Sequence, residues 1–192
     1  MTFEEFTEKY AGKRYEYFDG RAVPMGPEAS GEDGEVYAAP TKGIHGLLAM
    51  ESGSLVRNHV REKKLGMVFG AETGFLLRQE PPIMRAADIA FIARERLPGI
   101  DLSDWLPVPD LAVEVISEHD LAKEIHRKVQ QCLNAGVRLV WVVYPEDRQV
   151  VVYRPGEAAV TLGVGDTLDG GDVLSGFSVT LAALFAILDH EA

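Results

Sequence analysis

The chain has 192 residues, of which 46% are hydrophobic, enough for one domain (1–192) with a full core. Its formal charge of -11, from 30 acidic and 19 basic residues, argues against a broad basic surface for nucleic acid. It leaves open a local groove, or a site where metal ions offset carboxylates. The acidic start, Met1 to Phe6, lacks the layout of a signal peptide, and no apolar run approaches the roughly 18 residues of a membrane span. The expectation is a soluble, cytoplasmic protein with no membrane partner.

Thr2 opens a short amphipathic helix with Phe3, Phe6 and Tyr10 on one side, and Thr2 with Glu5 fits a capping box. Arg14 to Met25 reads as two strands around an Asp19-Gly20 turn. Glu16 shares a strand face with Arg14 and Phe18, and its ordinary reading is an exposed edge residue. Residues 26–40, rich in Gly, Pro, Glu and Asp, form a flexible loop. Ile44, Leu47, Leu48, Leu55, Val56 and Val60 then recur at helical spacing, with His45 near the start as a packing or capping residue. Met67 to Leu77 reads as one bent strand interrupted by Gly70 and Gly74. Met84 to Ile92 reads as another, with Asp88 its only charge after Arg85. Residues 93–109 carry no assignable middle.

The most informative stretch runs from Asp110 to Gly136. Leu111 to Ile116 is apolar on both alternating faces except for Glu114, the pattern of a strand covered on both sides, where a carboxylate must be paired or metal-bound. A helix follows, opening at Ser117 or Asp120 and closing at Gly136. Ala135, Leu121, Cys132, Ile125, Val129, Ala122 and Leu133 make one apolar arc on it, and Lys128 falls inside that arc. The lysine therefore points at the core, with snorkelling to water as the alternative. Cys132 reads as a core residue. Arg138 to Tyr144 is a buried strand, residues 149–154 and 158–162 a hairpin, 169–172 a turn, and Leu181 to Leu188 a closing helix. The β-α-β order across 110–144, with meander strands on either side, gives an α/β class: a mixed sheet flanked by helices.

If the strands carrying Asp88 and Glu114 are neighbours, the two carboxylates share a face and suit Mg²⁺ or Mn²⁺. Such a cation supports phosphodiester hydrolysis, and Lys128 would orient the attacking water or neutralise developing charge.

Several segments, in order, resemble the Uma-type putative restriction endonuclease family. They are Arg14 to Gly20, the Asp88 strand, Asp110 to Ser117, the Lys128 helix running into Pro145, and Leu168 to Phe177. That family lies in the PD-(D/E)XK nuclease superfamily, so the resemblance implies a restriction-endonuclease-like fold and a divalent-metal site. It implies catalytic roles for Asp88, Glu114, Lys128, Glu16 and His45, with Asp88, Glu114 and Glu16 as metal ligands. Ala87 replaces the motif's proline and Ile116 its lysine, so the chemistry would depend on Lys128 from the helix.

The function expected is a metal-dependent endonuclease acting on DNA as a homodimer, since duplex cleavage commonly uses paired sites. The alternative is a catalytically silent nuclease fold kept as a binding module. A small-molecule hydrolase is weaker, for lack of a nucleophile elbow, a His-Glu-x-x-His or a phosphate-cradling loop.

Overall fold

The computed structural model describes residues 1–25, 28–30, 36–38, 41–118 and 120–189. The amino-terminal part runs α1 (Phe3–Tyr10), β1 (Tyr15–Phe18), β2 (Arg21–Pro24), β3 (Glu28–Ser30), β4 (Val36–Ala38) and α2 (Gly43–Lys63). Next come β5 (Gly66–Gly70), β6 (Gly74–Gln79), β7 (Pro82–Ala86), β8 (Ile89–Ala93), β9 (Leu106–Pro107), β10 (Leu111–Val115) and α3 (Ala122–Ala135). The chain finishes with β11 (Leu139–Tyr144), β12 (Gln149–Tyr153), β13 (Val160–Leu162), β14 (Thr167–Asp169), β15 (Ser178–Thr180) and α4 (Leu181–Phe185). Among the described residues, no helix is long and apolar enough to cross a membrane.

Two sheets carry the architecture, ordered β13-β12-β11-β10-β8-β5 and β2-β1-β7-β6-β9. In the first, β10 and β11 are parallel and joined by α3, while β8 runs antiparallel to β10. The strand alternation of β10 sends Leu111, Val113 and Val115 into a core with Leu48, Val56 and Val60 of α2 and Leu181, Leu184 and Phe185 of α4. Ala112 faces the other way, toward Val129 and Cys132 of α3 and toward Phe18, Phe75 and Ile83 of the second sheet. The doubly covered strand read from the sequence is therefore present, and Glu114 lies on its α3 side.

Several local readings hold. Thr2 and Glu5 form the capping box. The β1–β2 turn uses positive φ at Asp19 and Gly20, 52° and 71°. Gly136 ends α3 in the left-handed region at φ 106°.

Others are corrected. The expected strand over 67–77 is two strands, β5 and β6, in different sheets, separated by a turn with Glu72 at φ 71°. The expected strand over 84–92 likewise splits: β7 belongs to the second sheet, β8 to the first, and the chain crosses at Ala87 and Asp88. Continuous apolarity hid the break because both halves are buried. Neither Ser117 nor Asp120 caps α3. Leu121 does, without a side-chain bond, while the Asp120 carboxylate accepts from the Ser117 N–H and hydroxyl. Leu121 lies one residue before the helix and is 58% exposed, so it does not belong to the buried arc. Glu16 is 6% exposed rather than at an edge, because β1 sits between β2 and β7. Within the loop expected at 26–40, β3 and β4 pair as antiparallel strands, and the remainder lies outside the described residues.

Helix α2 brings His45 to the site through its buried seam. Leu48, fully buried one turn along, anchors that end, whereas Ile44 is 43% exposed. Leu48→Ala should lower stability by about 2–5 kcal/mol, and Ile44→Ala by less than about 0.5 kcal/mol, both measured by urea unfolding.

Candidate functional site

The crossover between the sheets places Asp88 beside Glu114. The β8–β10 register pairs Val113 with Ile89, and one step further sets Asp88 opposite Glu114. Directly opposed residues of an antiparallel pair share a face. Pairing with β8 ends at Ile89 while β10 stays paired with β11 through Val115, and the Val115 N–H donates to Asp88 Oδ2 at 2.8 Å. His45 Nε2 lies 3.3 Å from the same oxygen.

From the opposite side, α3 extends Lys128 inward. Its Nζ donates to Glu114 Oε2 at 2.7 Å and lies 3.3 Å from Glu16 Oε1, with the side chain 21% exposed. The lysine thus reaches the site rather than snorkelling to water. Glu16 is fully engaged, accepting from Ala86 N–H at 3.0 Å through Oε1 and from Arg85 Nη1 at 2.6 Å through Oε2. Glu114 Oε1 is buried and has no hydrogen-bond partner among the described residues. All five residues singled out in the sequence, Glu16, His45, Asp88, Glu114 and Lys128, line one cleft of about 310 Å³.

Sequence reasoning missed Arg85 and Gln131, whose Oε1 accepts from the arginine Nε at 2.9 Å and from its Nη2. Only Gln131 carried a local signal, three residues beyond Lys128 on the same helical face; Arg85 carried none, because its partners lie on other elements.

Burial pushes the Glu114 carboxyl up to about 8; Lys128 pulls it down, but the Asp88 and Glu16 charges add to the rise. The same burial disfavours a charged Lys128, yet Glu114 and Glu16 outweigh it and hold the ammonium well above its usual range. For Glu16, burial raises the carboxyl, but Lys128, Arg85 and the Ala86 N–H together bring it below its ordinary value. The hydrogen bond to Asp88 raises His45, against the lowering effect of burial. Cys132 is a buried core thiol, pushed up to about 12 chiefly by desolvation.

These features bear on a cation. Among the described residues, no three His, Cys, Asp or Glu side chains are grouped so as to hold a metal by themselves. Mg²⁺, however, is commonly held by one or two carboxylates and keeps several waters. An unpartnered buried Glu114 oxygen beside the Asp88 carboxylate offers that donor set. Six carboxylates line the cleft against Arg14, Arg85 and Lys128, so its charge favours a cation.

Without a cation, the folded chain takes up a proton on Glu114 that the unfolded chain, with its ordinary value of 4.5, releases. This contribution to stability is therefore complete below 4.5 and is lost as pH rises to about 8. Glu114→Gln should flatten that part of the pH dependence of the urea midpoint in chelator-treated protein.

The profile of the Uma2 family, described as "Putative restriction endonuclease", matches residues 32–182. The match includes His45, Asp88, Glu114 and Lys128 and leaves Glu16 outside. No curated protein matches the chain. Among solved structures, the chain is similar to a crystal structure of a putative nuclease belonging to DUF820 from Anabaena variabilis. The two are 19% identical and superpose with a TM-score of 0.80 over 98% of this chain and 99% of the other, a shared restriction-endonuclease-like fold. With its profile matched over most of its length, the chain belongs to the Uma2 family of putative restriction endonucleases.

Proposed function

We propose that the chain is a divalent-metal-dependent endodeoxyribonuclease, with Asp88 and Glu114 holding Mg²⁺ or Mn²⁺ and Lys128 serving the attack on the phosphodiester. The observation that carries this reading is the convergence of Lys128 on Glu114, with Glu114 Oε1 left unpartnered beside Asp88.

A bound divalent cation supplies Lewis-acid stabilisation of charge on the phosphoryl group and makes the attacking water more acidic. The side chains do the rest. Lys128, kept protonated by Glu16 and by Glu114 once a cation ionises it, acts as a charged donor rather than a base: it orients the water and meets the charge that develops on a phosphoryl oxygen. His45 and the Val115 N–H fix the Asp88 carboxylate by engaging Oδ2. Glu16 has no free oxygen and serves by holding Lys128 rather than by ligating metal. A two-fold dimer would supply the second site that duplex cleavage needs.

Purified protein with Mg²⁺ or Mn²⁺ should nick or linearise plasmid DNA. Asp88→Asn and Lys128→Met should each reduce the rate by about 10²–10³-fold while remaining folded by circular dichroism. Equal cleavage by wild type and both variants would overturn the assignment. If the wild type neither cleaves DNA nor binds millimolar Mg²⁺ or Mn²⁺ by calorimetry, the fold serves as a binding module instead.

A further inference from the structure

Arg85 takes no part in the chemistry above, yet it is only 5% exposed. Nη1 donates to Glu16, and Nε and Nη2 both donate to Gln131 Oε1. The Phe18 ring lies 3.7 Å from the guanidinium carbon. The register accounts for the first contact: β1 and β7 pair at Tyr17 and Met84, and one step further opposes Glu16 to Arg85. Helix geometry accounts for the second, since Gln131 shares a face of α3 with Lys128. The contacts close a ring, from Lys128 to Glu16, to Arg85, to Gln131, and back along one helical turn to Lys128.

A lysine on a flexible four-carbon stem is poorly fixed by a single acceptor. Lys128 has two, and the proposed cation would compete for one of them, Glu114. Glu16 then sets the position of the ammonium alone, which it can do only if its own carboxylate is immobile. Arg85 and the Ala86 N–H hold both Glu16 oxygens, and Gln131 ties Arg85 to the helix that carries the lysine.

We propose that Arg85 and Gln131 are positioning residues for Lys128, acting through Glu16 to keep its ammonium at the edge of the cleft whichever partner Glu114 takes. The kinetic part of this proposal rests on the nuclease reading; the placement of the lysine does not.

Gln131 is the residue to vary, because it is only half-buried and its loss leaves the Arg85–Glu16 pair intact. Gln131→Leu removes the acceptor, and Gln131→Glu keeps it. Two quantities are measured on the full chain: kcat and KM on plasmid at saturating Mg²⁺, and the ¹⁵N NMR signal of the Lys128 ammonium without metal. Gln131→Leu should lower kcat about tenfold at unchanged KM, the cost of a small misplacement, and should broaden or abolish the ammonium signal. Gln131→Glu should restore both. Wild-type kcat together with a sharp ammonium signal in Gln131→Leu would overturn the proposal, whatever the variant does to melting temperature. An inactive wild type would sink the nuclease reading alone, since the ammonium signal would still decide whether the ring positions Lys128.

Discussion

A carboxylate on a strand covered on both faces is costly unless something compensates its charge, and Glu114 sets that condition for this molecule. The compensation comes from α3, whose apolar face must pack on the sheet for Lys128 to arrive. Val129 and Cys132 make that packing, and Lys128 lies one residue before Val129. Burial of the helix and burial of the charge are thus one event. The second carboxylate, Glu16, allows the ammonium to be held from both sides, and its own burial is in turn made tolerable by Arg85.

The site also straddles the joint between the two sheets. Glu16 and Arg85 belong to the five-stranded sheet, Glu114 to the six-stranded one, and Asp88 to the short crossover between them. A crossover residue is free of ladder pairing, so its carboxylate can turn toward β10 and accept the Val115 N–H beyond the point where β8 pairing ends.

Much of this was legible in the sequence where the controlling physics is local. The lone charge in an apolar strand marked Glu114, helical periodicity turned Lys128 inward, and Asp19-Gly20 and Gly136 marked a turn and a helix end by their backbone freedom. Features decided by distant partners were not legible. Glu16 is buried because β7, some seventy residues later, lies alongside β1, and nothing near Glu16 announces this. The division of residues 82–93 between two sheets was masked because Ala86 and Ala87 continue the apolar run. Arg85 carries no local mark of its role, since its partners Glu16 and Gln131 lie on other elements. The carrying-over of Glu16 and His45 came from family likeness, and the structure brings both to the cleft by contacts that spacing could not supply.

The shielding of the Glu16–Arg85–Lys128–Glu114 group from water has one further consequence. These side chains are between 6% and 21% exposed, so dissolved electrolyte has little access to the fields between them. The surface, with its overall excess of negative charge, is open to screening. Ionic strength therefore acts on the approach of a polyanion to the cleft while leaving its internal arrangement alone, and a salt titration separates encounter from architecture.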